Sequence, residues 1–275
     1  MWKLLACAAL ALPAAAHADQ CRFQAPRNAN LDLAGVRTLV IQVQHHNVHL
    51  NGTATATGAI RGRACASNES LLPNLQVTQH REGDRLVVEA KDSNGPFHGV
   101  MIFGNHYHYL DLNIDAPAGL AVEVEVGSGD AWVNNVSQLK TAVGSGDLDV
   151  HGVRGHLEAN VNSGDIKASD VGDVHVGAVG SGDFSVDQVR GSVAVGSVGS
   201  GDFTANRVQG NVTIGSVGSG DATTHGISGS VDVDSIGSGD LHVNGVGHDL
   251  HVARVGSGDV EHTGVSGKVE IPKQD

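Results

Sequence analysis

A tetrapeptide that recurs at a near-constant interval constrains the fold of this chain more than any other feature. The sequence Gly-Ser-Gly-Asp occurs seven times between residues 127 and 259, and Asn162-Ser163-Gly164-Asp165 is an eighth, modified copy. The aspartates of the eight copies are Asp130, Asp147, Asp165, Asp183, Asp202, Asp221, Asp240 and Asp259. Their spacing lengthens slightly along the chain and then settles at about 19 residues, and self-similarity at a fixed short period indicates a repeat architecture.

Apolar and polar residues alternate within each repeat, and a period of two indicates β-strands. We number positions from the aspartate of each repeat. Position +2 is polar in most repeats, as at Asp149, Lys167, Ser185, Thr204, Thr223, His242 and Glu261. Position +6 is β-branched in all eight: Val136, Val153, Val171, Val189, Val208, Ile227, Val246 and Val265.

A single repeat unit is too short to bury its own apolar face, but stacked units can, with each strand paired in parallel to the next coil. We therefore predict an all-β fold, a single-stranded parallel β-helix (β-solenoid) with about 19 residues per coil. Propeller blades need about 40 residues each, and a sandwich imposes no exact short repeat. This register stacks Phe184 on Phe203 and places Val208 between Val189 and Ile227, inside the rod.

Residues 19–126 lack the clean repeat but keep alternating segments such as 38–43 and 109–114. We interpret them as irregular N-terminal coils that cap the rod, because an open end exposes strand edges. The GSGD-repeat solenoid then occupies residues 127–275 and is continuous with the cap. Residues 92–108 are expected to form a flexible insertion.

The segment at 1–18 predicts a secretory signal peptide. Lys3 is followed by a short apolar run, and Ala16-His17-Ala18 has the pattern of a cleavage site before Asp19. The apolar run is too short to span a bilayer, and no later segment approaches the required length of about 20 residues. The expected protein is exported, periplasmic or secreted to the cell surface, with no integral membrane segment after cleavage.

Cysteine content is consistent with export. After cleavage only Cys21 and Cys65 would remain, and two cysteines in an exported protein predict one disulfide. In the chain-entropy model, closing the loop between Cys21 and Cys65 stabilises the folded state by about 4 kcal/mol. The alternative is a pair of free thiols.

Charge restricts the class of partner. The chain has 30 acidic and 17 basic residues, a formal net charge of −13. A protein that binds nucleic acid requires a basic surface, so we expect no nucleic-acid partner.

The segment LNIDAPAGLAVEVEVGSGDAWV at 112–133, with the recurrent VGSGD units after it, resembles a family of bacterial adhesin-like proteins of uncharacterised function. That family is related to autotransporter adhesin head (GIN) domains. The resemblance covers roughly residues 110–271 well and 36–90 loosely. It implies an exported β-helix with a role in surface adhesion, and it supplies no catalytic residues.

The GSGD segments are expected to form turns whose glycines supply positive φ. The turn-forming residues with the most regular spacing are Gly180, Ser181, Gly182, Asp183, Gly199, Ser200, Gly201, Asp202, Gly218, Ser219, Gly220 and Asp221. Stacked carboxylates about 5 Å apart repel one another. The preferred interpretation is that each aspartate accepts N–H bonds from its own turn. The alternative is a Ca²⁺-binding ladder that includes Asp183, Asp202, Asp221 and Asp240.

Two histidines are a second metal candidate. His106 and His108 would share one strand face and could bind a soft divalent metal ion. Exposed strand histidines without a ligand are the alternative. We predict no other cofactor and no catalytic residue.

The function predicted from the sequence is a non-enzymatic, exported β-solenoid that acts as an adhesin-like envelope or surface interaction module. Its polar ladder at position +2 would be offered to a repetitive ligand such as a glycan or another envelope surface component. One alternative is a carbohydrate-active β-helix enzyme, which needs acids and Arg or Lys residues converging on one groove. The other is a cation-binding (Ca²⁺) repeat scaffold.

Overall fold

The computed structural model describes residues 21–55, 57–93 and 107–272, so the expected signal peptide lies outside the described residues. The strands before the repeats are β1 (Phe23–Pro26), β2 (Ala29–Asn30), β3 (Thr38–Val43), β4 (Asn47–Thr53), β5 (Ala59–Ala66), β6 (Leu75–Glu82), β7 (Arg85–Asp92), β8 (His108–Pro117) and β9 (Ala121–Val126). A short 3-10 helix spans Glu69–Asn74.

Most repeats form two strands per coil, which are joined into one long strand in β12 and in β13, and each strand pairs in parallel with its equivalent in the next coil. These strands are β10 (Asp130–Val136), β11 (Gln138–Val143), β12 (Asp147–Val161), β13 (Asp165–Val179), β14 (Phe184–Val189), β15 (Val193–Val198), β16 (Phe203–Val208), β17 (Val212–Val217), β18 (Ala222–Ile227), β19 (Val231–Ile236), β20 (Leu241–Val246), β21 (Leu250–Val252), β22 (Val260–Val265) and β23 (Val269–Glu270). The predicted β-solenoid with about 19 residues per coil is confirmed.

The core follows the predicted register. Phe184 pairs with Phe203, and their rings stack with centroids 6.1 Å apart. Val208 is 1% exposed and pairs with Val189 on one side and Ile227 on the other. Because β-branched side chains pack well on a pleated surface, a column of valines fills the interior with few aromatic residues.

The GSGD segments lie at bends between strands, but their glycines have a different role from the expected one. The described GSGD glycines are not among the residues with positive φ, so that expectation is wrong. The second glycine of each segment is instead buried under the next coil. A Cβ atom on Gly201 would overlap the carbonyl oxygen of Gly182 in the preceding coil. Close approach of two backbones therefore explains this glycine column.

Positive φ occurs at position +5 instead, within the first strand of every coil. The residues are Asn135, Gly152, Asp170, Gln188, Arg207, Gly226, Gly245 and Gly264, with φ between 53° and 77°. Strict alternation from +1 and +3 would point +5 inward. The left-handed residue at +5 shifts the alternation by one residue, so that position +6 is buried from Val136 to Val246 and partly buried at Val265. A non-glycine residue in this conformation costs about 1–2 kcal/mol, which the packing of position +6 offsets.

Layers at the N-terminal end of the rod do not follow chain order. β3 pairs in parallel with both β7 and β9, and β4 pairs in parallel with both β8 and β10. The layer at residues 38–53 is therefore inserted between the layers at 85–117 and 121–136. β5 and β6 pair antiparallel with β8 and β7 and extend this end of the sheet.

The predicted disulfide is confirmed, since Cys21 and Cys65 are bonded with their Cα atoms 5.5 Å apart. Cys65 lies in β5 and is fully buried. The bond attaches the start of the described chain to the antiparallel strands. Of the expected insertion at 92–108, residues 94–106 lie outside the described part.

Candidate functional site

Two columns of outward-pointing side chains run along one side of the rod, and we call this surface the polar face. They occupy positions +2 and +4, which alternate with the buried positions +1 and +3. In-register pairing extends both columns into β4. The first column is His49, Trp132, Asp149, Lys167, Ser185, Thr204, Thr223, His242 and Glu261, and the second is Asn51, Asn134, His151, Ser169, Asp187, Asn206, His225, Asn244 and Thr263.

An aromatic stack interrupts the polar face near its N-terminal end. The rings of His49 and Trp132 are parallel within 9°, with centroids 4.2 Å apart. Trp132 also lines a depression of about 340 Å³, together with Asp149, Lys167 and Ser185. A half-buried indole offers an apolar ring face beside a polar N–H group. This combination suits a ligand that has both apolar C–H faces and hydroxyl groups.

Trp132 was not included in the ladder predicted from the sequence, although it occupies the same position as Asp149. Its place at position +2 after Asp130 is the signal that would have found it. Its partner His49 lies in β4, far earlier in the chain, and no local pattern joins the two.

Hydrogen bonds between neighbouring coils order the side chains of the polar face. The Asn134 amide nitrogen donates to the Asn51 amide oxygen at 3.2 Å, and His151 Nδ1 lies 2.9 Å from Ser169 Oγ. Near the other end, His242 Nδ1 lies 3.2 Å from a Glu261 carboxylate oxygen. The face therefore presents donors and acceptors at regular intervals along the rod.

The repeat aspartates form a hydrogen-bonded ladder along a neighbouring edge. From Asp165 to Asp240, Oδ1 of each aspartate accepts the backbone N–H of the aspartate one coil later, as Asp183 does from Asp202 at 3.0 Å and Asp202 does from Asp221 at 3.0 Å. The same bond joins Asp240 to Asp221 at 2.9 Å. The predicted acceptor role is present, but the donor belongs to the next coil rather than to the same turn. Such charge-assisted bonds offset the repulsion between stacked carboxylates.

A second ladder runs through the later coils, at the bend between the two strands of a coil, and sequence reasoning missed it. Short polar side chains accept the backbone N–H of their equivalents one coil later, through Asp173, Ser192, Asn211, Ser230 and Asp249. The acceptor at this position is Asp, Ser or Asn in different coils. A search for identical residues at a fixed period therefore does not find the column.

Calcium binding by the aspartate column gains no support from the geometry. A Ca²⁺ ion takes six to eight oxygen ligands. Among residues 21–55, 57–93 and 107–272, the column does not bring three carboxylates within 4.8 Å of one another. One Oδ1 of each aspartate from Asp165 to Asp240 is already engaged with the backbone.

The cap brings histidines and an aspartate together. His45, Asp92 and His108 each place one potential ligand atom within 4.8 Å of the others, and His108 Nε2 lies 2.9 Å from Asp92 Oδ2. Of the predicted pair, His108 is in this cluster, whereas His106 lies outside the described residues. Asp92 has no local sequence signal as a ligand, because it reaches the cluster only through the pairing of separate strands.

Burial favours the neutral imidazole at His45 and at the neighbouring His46 by lowering the pKa of both. Burial lowers the pKa of His45, the charge of His108 lowers it further, and Asp92 acts in the opposite direction. His46 is fully buried beside His45, and its Nδ1 accepts the Leu110 N–H at 3.2 Å. Burial and the neighbouring His45 lower the pKa of His46 to about 3. Neutral imidazole is the form that ligates metal ions.

An aspartate–arginine cluster lies at the positive-φ corner and bears on the enzymatic alternative. Asp170, Arg190 and Arg207 line a second depression of about 490 Å³. Arg190 forms an ion pair with Asp170, and Arg207 forms one with Asp187. Glycosidases need one carboxyl group held in its acid form and a second as carboxylate. Here each of the two carboxylates is instead paired with an arginine side chain.

Comparison with known families gives a match over most of the described chain. The sequence profile described as Toastrack DUF4097 matches residues 36–223, which is more than half of the chain. The chain belongs to this family. The Toastrack match begins just before β3 and ends within β18, so it includes the N-terminal layers and most of the repeats. The expected relation to autotransporter adhesin head (GIN) domains stays a prediction.

Solved structures that match the chain include proteins described as adhesins or binding proteins. A "putative lipid binding protein" from Parabacteroides distasonis is 19% identical, with a TM-score of 0.47 over 89% of this chain and 96% of that one. A "putative adhesin" from Bacteroides fragilis is 15% identical, with a TM-score of 0.38 over 90% and 97%. No curated protein matches the chain. No helix in the described part has the length and hydrophobicity to cross a membrane.

Proposed function

We propose that this protein is an exported, non-enzymatic β-solenoid that binds a glycan or another repetitive envelope component along its polar face. The observation that carries the proposal is the aromatic stack of Trp132 on His49, set in a straight surface of hydrogen-bonding side chains. A sugar ring packs its C–H face on an aromatic ring while its hydroxyl groups bond to polar neighbours. The coil repeat offers such neighbours at intervals of about 4.8 Å.

Export is part of the proposal. The signal sequence at residues 1–18, the Cys21–Cys65 disulfide and the adhesin-like resemblance all favour a location outside the cytoplasm. Mass spectrometry of the protein purified from cell-envelope fractions should find an N-terminus at Asp19. An intact Met1 in the envelope-bound protein would contradict this part.

The carbohydrate-active enzyme is the weaker alternative. The Asp170 and Asp187 carboxylates both pair with arginines, and only Asp187 lines the depression beside Trp132, so these two acids do not form an acid–base pair at the stack. The interaction module requires no such pair. It requires only an extended complementary surface, which the polar face provides.

Tryptophan fluorescence gives a direct test, because Trp2 and Trp132 are the two tryptophans of the chain. Because Trp2 lies in the predicted signal peptide, emission of the processed protein that starts at Asp19 reports on Trp132 alone. We expect envelope oligosaccharides selected on a glycan array to shift or quench this emission in a saturable way. Calorimetry should then show that Trp132→Ala weakens binding about tenfold or more, as is typical of an aromatic residue at a binding centre.

The matched control is Thr213→Ala, which removes an exposed side chain from β17 on another side of the rod. It should leave binding unchanged. Equal binding by the Trp132→Ala variant and the wild type, or equal losses in the Trp132→Ala and Thr213→Ala variants, would refute the assignment of the polar face.

A further inference from the structure

The histidine cluster in the cap is assembled from three separate segments of the chain. His45 follows β3, Asp92 ends β7 and His108 begins β8. β3 stacks in parallel on β7, and β4 stacks in parallel on β8. This layer order places the three side chains at one corner of the rod, away from the polar face columns.

Ligand spacing in the cluster is close to that of a metal centre. In a tetrahedral zinc site with bonds of about 2.0–2.1 Å, ligand atoms lie about 3.3 Å apart. The atoms of His108 and Asp92 are 2.9 Å apart, and all three ligand atoms lie within 4.8 Å of one another. Small side-chain rotations therefore suffice to place all three at bonding distance from one ion.

Burial and hydrogen bonding also indicate a ligand. His45 Nε2 is buried and makes no hydrogen bond within the described residues, which is costly for a polar ring nitrogen. The side chains of His108 and Asp92 keep 23% and 11% of their exposure, so an ion can reach them from solvent.

We propose that His45, Asp92 and His108 bind one divalent transition-metal ion, with Zn²⁺ as the best fit. Two imidazoles and one carboxylate are a ligand set typical of zinc, whereas Ca²⁺ takes oxygen ligands. Three protein ligands leave a fourth position for water. The ion replaces the hydrogen bond between His108 and Asp92 and joins the ends of β3, β7 and β8.

The ring of His46 supports this arrangement from the interior. Its centroid lies 4.1 Å from that of His45, and its Nδ1 is held by the Leu110 N–H. His46 therefore restricts the orientation of the His45 ring. A ligand whose orientation is fixed before binding loses less entropy when the ion binds.

Calorimetric titration of the metal-depleted full chain with ZnCl₂ tests the proposal. We expect one Zn²⁺ per chain, with affinity at least tenfold lower in each of His45→Gln, His108→Gln and Asp92→Asn. The matched control is His242→Gln, which removes a histidine that also pairs with an acid, Glu261, on the polar face. It should bind Zn²⁺ like the wild type.

A Co²⁺ titration of the wild type keeps the test independent of whether the variants fold. A tetrahedral nitrogen–oxygen site gives intense visible absorption bands, which added Zn²⁺ should abolish. Two results would each overturn the proposal: a Co²⁺ spectrum identical to that of the aqueous ion, or Zn²⁺ binding that is unchanged in a folded His45→Gln/His108→Gln variant.

Discussion

Replacing Val208 by aspartate tests the coil register at its most buried column. Val208 is 1% exposed and lies between Val189 and Ile227, which are 0% and 2% exposed. The substitution removes an apolar side chain whose burial is worth about 1.5 kcal/mol. It also places a carboxyl group where the neighbouring coils offer only valine and isoleucine.

The electrostatic cost follows from the pKa that the new carboxyl group must reach. To stay neutral at pH 7, its pKa must rise from about 3.9 to 7 or above, which costs about 4 kcal/mol. With the lost burial, Val208→Asp should lower the free energy of unfolding at pH 7 by about 6 kcal/mol. That is a large share of the roughly 5–15 kcal/mol typical of a folded protein.

Urea denaturation followed by circular dichroism measures this difference, with Thr204→Asp as the matched control. Thr204 points outward from the same strand, so its substitution should change stability by about 0.5 kcal/mol or less. Because a raised pKa destabilises the variant only above the unfolded-state value, its deficit relative to wild type should shrink to about 2 kcal/mol near pH 3.5. Similar small effects of both substitutions at pH 7 would refute the register.

Three further predictions concern the corners and the cap. In urea denaturation, Gly201→Ala should destabilise the protein by about 1–3 kcal/mol because the added Cβ overlaps the Gly182 carbonyl. Gly119→Ala, where the added Cβ meets open space, should be close to neutral. Equal effects of the two substitutions would contradict the close-approach explanation. Asp202→Ala should lower the free energy of unfolding by about 1 kcal/mol because the Asp221 N–H loses its acceptor. Asp202→Asn keeps an acceptor oxygen and should restore most of this stability. If Asp202→Asn is as unstable as Asp202→Ala, the charge of Asp202 and not its hydrogen bond stabilises the protein. Cys21→Ser should cost about 2–4 kcal/mol, and thiol titration of the unfolded, unreduced wild type should find no free thiol from Cys21 or Cys65, whereas two would contradict the disulfide.

The repeat explains why the architecture could be predicted from the sequence. A near-constant period and a β-branched +6 column define the coil length and the inward positions, and Phe184 does stack on Phe203. The role of the GSGD glycines could not be predicted in the same way. A glycine can be required either because its φ is positive or because a Cβ would not fit. Only the structure distinguishes these two reasons, because it places the Gly182 carbonyl against Gly201.

Features that depend on distant pairing were not predictable from the period. The insertion of residues 38–53 between two later layers brings His49 under Trp132 and His45 beside Asp92. Neither pair has a local sequence pattern, because the two residues of each pair are far apart in the chain. The repeat therefore defined the rod, while the candidate sites arise where that regularity ends.

The dependence of affinity on oligosaccharide length tests the central claim, that the polar face binds a repetitive ligand across several coils. The nine stacked positions of each column, at about 4.8 Å per coil, give a surface about 40 Å long. For an array-selected glycan, calorimetry with a series from disaccharide to long oligosaccharide should show affinity that rises until the ligand spans this length. A disaccharide that binds as tightly as the longest oligosaccharide would contradict extended recognition by the stacked coils.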